Sequence, residues 1–171
     1  QELIKTSEKE IDDITNNPEA PTFENTIEAM AFSGEQLDRV SNIFFNINSA
    51  ETNDEIQKIA QDVSPLLTEF SSKISQNEKL FERIKKVYDQ KDSLSLDEEQ
   101  QTLLNETYKG FVRSGALLSE EDKKKLEKIN MDLSIKSLQF GQNALASTNA
   151  YFKHITNKDE LKGIPEAILQ Q

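Results

Sequence analysis

The chain has 171 residues, a net charge of −11 and no cysteine. An acidic surface repels phosphate backbones and anionic lipid headgroups, so we expect neither nucleic acids nor membranes as partners. The lack of cysteine excludes disulfides, thiolate metal sites and cysteine nucleophiles. Hydrophobic residues make up 35% of the chain, which is enough for a core but less than globular domains usually contain.

The spacing of apolar residues predicts a helical chain. Glycine, proline and valine are scarce, which favours helices over sheets. The periodicity predicts six helices, at about residues 2–16, 23–48, 53–75, 78–90, 96–114 and 120–148. Gly34 predicts a bend in the second helix, Pro65 predicts a curve in the third, and Gly115 predicts a left-handed cap after the fifth.

Capping-box patterns support three of the helix starts. Thr52, Ser95 and Ser119 are each followed three residues later by an acidic residue. In this pattern the hydroxyl accepts a hydrogen bond from a free backbone amide, and the carboxylate reaches back to the cap. Thr22, which follows Pro21, is a weaker start signal of the same kind.

The sixth predicted helix carries two apolar stripes. One consists of Leu126, Ile129, Leu133 and Phe140, and the other of Met131, Ile135, Leu138 and Leu145. Two stripes require neighbours on both sides of a helix. Two interpretations remain open: a central helix packed within this domain, or a helix with one face intended for a segment outside this chain.

A change of pattern follows Asn149. Residues 151–156 alternate and are rich in aromatic and β-branched side chains, which predicts a short strand whose partner lies outside the chain. A helical turn at Asp159–Lys162 and a helix opened by Pro165 follow. We therefore expect a mainly α fold: a multi-helix bundle-like lobe over residues 1–149, then a strand, a turn and the start of a further helix over 150–171.

Few residues offer chemistry. His154 is the only histidine, whereas a His-Glu-x-x-His zinc motif needs two on one helix face. The acidic groups at residues 98–99 and 120–122 fall in first turns of predicted helices, where acids complement the helix dipole. The basic run at residues 123–125 is interpreted as a solvated helix face. The residues alone predict no catalytic, cofactor-binding or metal-binding residue.

Four segments resemble the N-terminal region of one peptidase family. They are Asn17–Ile27 (NPEAPTFENTI), Phe111–Ala116 (FVRSGA), Phe140–Asn143 (FGQN) and Leu161–Pro165 (LKGIP). In this order they resemble the thimet-oligopeptidase family, in its branch of peptidyl-dipeptidases (dipeptidyl carboxypeptidases) and oligopeptidases A. The likeness spans nearly the whole chain, and its specificity comes from the four segments together.

The resemblance implies a larger zinc metallopeptidase. Family members are several times longer, with two helical lobes around a channel, and dipeptidyl carboxypeptidases release C-terminal dipeptides from short peptides. Zinc belongs to the later part, so this chain is expected to hold no cofactor, to show no activity alone, and to roof the channel. Its expected partners are the zinc-bearing remainder of the same polypeptide and, for the whole protein, short peptides.

Other interpretations differ in function or compartment. The chain could instead be a stand-alone helical interaction module without catalytic activity, or a small-ligand-binding bundle, although no polar cluster within an apolar stripe defines a pocket. The family resemblance implies that the protein is located in the cytoplasm. Because the chain begins at Gln1, we expect its natural start to be missing, and an upstream signal peptide would imply the periplasm or cell envelope instead.

Overall fold

The computed structural model describes residues 1–169, except for the side chain of Lys158, and these residues form an all-α fold. Its elements are α1 (Glu2–Thr15), a π-helical segment (Phe23–Glu28), α2 (Ala29–Phe32), α3 (Glu35–Ala50), α4 (Asp54–Ser75), α5 (Glu78–Asp89), a 3-10 turn (Lys91–Ser93), α6 (Glu98–Arg113), α7 (Glu120–Ala150), a second 3-10 turn (Lys158–Leu161) and α8 (Glu166–Leu169).

The predicted strand at residues 151–156 is wrong. These residues are irregular, and the described part of the chain contains no strand. An isolated strand cannot satisfy its backbone amides and carbonyls, so an alternating pattern without a partner strand does not form one. The aromatic side chains responsible for the pattern, Tyr151 and Phe152, are 76% and 83% exposed. The last predicted helix is present as α8, and Gln170 and Gln171 lie outside the described residues.

The chain divides into two compact units, Gln1–Leu138 and Gln139–Gln171. The first unit contains α1 to α6 and the first part of α7. The second contains the end of α7, the second 3-10 turn and α8. Within it, Lys153 Nζ lies 2.9 Å from Glu160 Oε2, and Gly163 adopts a positive φ of 94° after the turn.

The hydrophobic core of the first unit lies between α1, the π-helical segment, α5 and α6. Its central side chains Ile27, Leu80, Ile84 and Leu104 are at most 1% exposed. Full burial of such a side chain contributes about 1.5–3 kcal/mol. Aromatic rings extend this core, because Phe81 stacks against Tyr108 at a centroid distance of 5.7 Å and against Phe111 at 6.2 Å.

Polar caps fix where the helices begin. Thr22 and Asn25 form a reciprocal capping box at the π-helical segment, as Thr22 predicted. The α4 cap is Asn53, one residue after the predicted Thr52, and the α6 cap is Asp97, two residues after Ser95. Each cap accepts a hydrogen bond from an amide in the first turn that has no helical partner.

Two glycines interrupt the helices where the sequence predicted a change. Gly34, at φ 75°, separates α2 from α3, so the predicted bend is a complete break; its amide donates to Glu10 Oε2 at 2.7 Å. Gly115, at φ 93°, ends α6 in a Schellman motif, in which the Ala116 amide donates to the Phe111 carbonyl at 3.0 Å. Both conformations are strained for any residue with a Cβ.

Candidate functional site: an exposed apolar surface

The single histidine and the acidic groups do not converge on a site. His154 is exposed in the irregular segment after α7. Within residues 1–169, no group of three or more histidine, aspartate or glutamate side chains is arranged to hold a metal ion. A catalytic zinc site uses three protein ligands. The described residues therefore do not fit the zinc ion that the family resemblance implies, and no reaction step is assigned to them.

Lys123 departs from the prediction of a solvated basic run. Its side chain is only 4% exposed, and its Nζ lies 2.8 Å from Glu78 Oε1 and 3.0 Å from Glu120 Oε1. The hydrogen bond to Glu78 raises the pKa of Lys123, and the same bond lowers the pKa of Glu78. The ammonium group thus ties the first turn of α7 to the first turn of α5.

Arg83 is a second buried cation, and its role was not predicted from the sequence. Its side chain fastens the loop between α1 and the π-helical segment: Nη1 donates to the carbonyls of Asn17 (2.9 Å) and Glu19 (3.1 Å), and Nη2 donates to Asn25 Oδ1 (3.1 Å) and Thr26 Oγ1 (3.3 Å). A planar guanidinium can donate to several acceptors at once.

A sequence signal for Arg83 exists. It lies three residues after Leu80 and four before Val87, on the apolar stripe of α5. A cation on a stripe that faces the core must find buried acceptors. The acceptors belong to the segment Asn17–Ile27, so Arg83 holds in place one of the four segments that carry the family resemblance.

An apolar groove lies between α1, α3 and α4. It has a volume of about 690 Å³. Fourteen residues line it: Gln1, Glu2, Leu3, Ile4, Leu37, Val40, Ser41, Phe44, Phe45, Ile59, Asp62, Val63, Leu66 and Leu67. Only Leu37 of α3 is buried, whereas Val40 remains 52% exposed and Ile59 of α4 remains 42% exposed. These helices present apolar side chains that the described residues leave uncovered.

Helix α7 carries a further uncovered face. Ile129 and Leu133 are each 60% exposed, and from Glu120 to Leu138, the part of this helix in the first unit, the only buried residue is Lys123. For this part of α7, the interpretation as a helix packed on both sides within the domain is therefore wrong. None of the helices in this part of the chain is both long enough and apolar enough to cross a membrane.

Together these features define an all-α domain with one packed core and broad uncovered apolar faces. The family model for the "Neurolysin/Thimet oligopeptidase, N-terminal domain" matches residues 1–123. The chain belongs to this family, as the resemblance of its four segments predicted.

Individual relatives support the same assignment. The chain is 39% identical to dipeptidyl carboxypeptidase of Salmonella typhimurium over 87% of its own length, and 37% identical to dipeptidyl carboxypeptidase of Escherichia coli over 92%. It is 28% identical to oligopeptidase A of Haemophilus influenzae over 99%. These matches cover 22%, 23% and 25% of the respective relatives, so the chain spans about a quarter or less of their length.

Proposed function

We propose that this chain is the N-terminal helical part of a zinc peptidase and forms one wall of the channel in which short peptides are cleaved. The observation that carries the proposal is the pairing of a family match over residues 1–123 with apolar faces on α3, α4 and α7 that the described residues leave uncovered. Soluble monomers rarely expose large contiguous apolar patches unless these are interaction sites.

The names of two relatives support a more specific proposal for the activity of the whole protein. Both are named dipeptidyl carboxypeptidase, so we propose release of C-terminal dipeptides, with zinc supplied by the remainder of the same polypeptide. The contribution of this chain is physical rather than chemical. A stiff helical wall excludes water and large substrates, and exclusion of water strengthens the electrostatic interactions at a reacting centre. We propose the cytoplasm as the compartment, with the cell envelope as the alternative if a signal peptide precedes Gln1.

Reconstitution tests this function. The 171-residue chain and the zinc-bearing remainder are prepared separately, each is shown to be folded by circular dichroism, and the mixture is assayed with a short peptide. Restored release of dipeptides is expected. Two folded parts that associate and remain inactive would contradict the proposal, and so would a reading frame that ends shortly after residue 171.

A matched variant separates a wall from a catalytic contribution. His154→Ala should leave the restored activity unchanged, because the chain is proposed to provide no metal ligand or base. A loss of activity from this exposed position would instead indicate that His154 contacts zinc or substrate. Zinc content of the mixture, measured with and without the substitution, distinguishes these two roles.

A further inference from the structure

We propose that the groove between α1, α3 and α4 receives an amphipathic helix from the remainder of the same polypeptide, with an apolar face and lysine or arginine on its flanks. This inference rests on the proposed function, because it identifies the surface at which the helical part meets the rest of the enzyme. Helix-in-groove docking of this kind buries an apolar stripe between helices that already present apolar side chains.

The side chains that line the groove favour a docked helix with an apolar face. Val40 and Ile59, on facing helices, are 52% and 42% exposed. The aromatic pair Phe44 and Phe45, with ring centroids 5.1 Å apart, also lines the groove and is half-buried. Burial of apolar surface contributes about 25 cal/mol per Å². A polar occupant would leave these side chains without that stabilisation, whereas an apolar stripe would cover them.

The charge of the groove favours basic residues on the flanks of the docked helix. The ionisable side chains that line the groove, Glu2 and Asp62, are both acidic. The cation Arg39 lies elsewhere on α3, where its Nη2 is 2.7 Å from Glu35 Oε1, so its charge is already paired. A docked segment with basic flanks would complement these carboxylates. A second copy of this chain, which carries the same net charge of −11, would meet like charge on approach.

The length of the relatives supports the remainder of the same polypeptide as the source of the docked helix. The chain covers 22–25% of the three relatives described above, so under the proposed function most of the polypeptide lies outside this chain and can supply the docked segment. A segment of the same polypeptide is also present at high effective concentration, so it occupies a groove ahead of a free peptide of similar intrinsic affinity.

Photo-crosslinking in the full-length polypeptide tests the proposal. The photoreactive residue p-benzoylphenylalanine replaces Val40, and in a matched control it replaces Ile43, which is 57% exposed on the same helix but does not line the groove. Mass spectrometry then identifies the attached segment. We expect position 40 to link to a segment beyond residue 171 with an apolar stripe and basic flanks, at several-fold higher yield than position 43.

Charge reversal sharpens the result. Asp62→Lys should lower the yield from position 40 about threefold at low salt, and the difference should vanish near 1 M salt, where charges are screened beyond about 3 Å. A link to a second copy, to a bound peptide, to an acidic segment or to nothing would overturn the proposal. Peptidase activity of the unsubstituted polypeptide separates the outcomes: activity there, with no such link from position 40, refutes only the groove, and inactivity there refutes the proposed function.

Discussion

Two regions of the first unit use their apolar side chains differently. In the packed region, formed by α1, the π-helical segment, α5 and α6, the central side chains are essentially inaccessible. In the open region, formed by α3 and α4, four apolar side chains of similar size remain 42–57% exposed: Val40, Ile43, Ile47 and Ile59. The comparison indicates that helical periodicity identifies a face that must be covered but does not identify what covers it.

The largest change in stability is expected from a comparison of one isoleucine in each region. Ile84 is 0% exposed and Ile43 is 57% exposed. Ile84→Ala should lower the free energy of unfolding by about 3–4 kcal/mol, because it removes buried contacts and leaves a cavity. Ile43→Ala should change it by at most about 0.5 kcal/mol. Urea unfolding followed by far-ultraviolet circular dichroism measures both, and similar losses would show that the open region is packed after all.

The next test concerns the hydrogen bonds by which Arg83 holds the loop before the π-helical segment in the packed region. Arg83→Met should lower the free energy of unfolding by about 2 kcal/mol, because it leaves partly buried carbonyl and amide oxygens without donors. Hydrogen exchange should also become faster at residues 17–26. Lys79→Met, on the exposed side of the same helix, is the matched control and should alter neither quantity. Unchanged exchange in the Arg83 variant would mean that the loop is held by other contacts.

The smallest expected effect depends on pH. The carboxyl pKa of Glu78 is lowered from its ordinary value of 4.5, so its stabilisation is present above that value and is lost as pH falls through the lower pKa of the folded state. The pKa of Lys123 is raised above 10.5, so its stabilisation is present below that value and is lost as pH rises through the higher folded-state pKa.

Comparison with a variant isolates this contribution. The difference in stability between the wild type and Lys123→Met should be constant from about pH 5 to pH 10 and should shrink at both extremes, as the two shifts require. Lys124→Met, at the neighbouring exposed position, is the control. A difference that does not change down to pH 3 would mean that Glu78 is not the partner of Lys123 in solution.

Local signals were enough to predict that the helices form, whereas two cap positions and the pairs of residues that lie far apart along the chain were missed. The Thr22 cap was predicted because its acceptor role is decided within three residues. Asn53 and Asp97 replaced the predicted Thr52 and Ser95 because several neighbouring polar residues can cap a helix and the local backbone selects one.

Long-range pairs could not be predicted in the same way. Lys123 was interpreted as solvated because Glu78, which lies 45 positions away, is not apparent as a partner in the sequence. Arg83 finds its acceptors 57 to 66 positions away. The strand at residues 151–156 was predicted from alternation and composition, although a strand also depends on a neighbouring strand, which the described residues do not include. The predicted absence of site residues in this chain stays a prediction.

The tyrosines of this chain give it an uneven optical signal. There is no tryptophan, and of the three tyrosines Tyr88 and Tyr108 stack in the packed region, with ring centroids 3.9 Å apart, while Tyr151 is 76% exposed. Intrinsic fluorescence and near-ultraviolet absorption will therefore report on melting between α5 and α6. Tyrosine fluorescence will be silent about α3 and α4, which contain no tyrosine, so a fluorescence study of docking there needs a label introduced into one of those two helices.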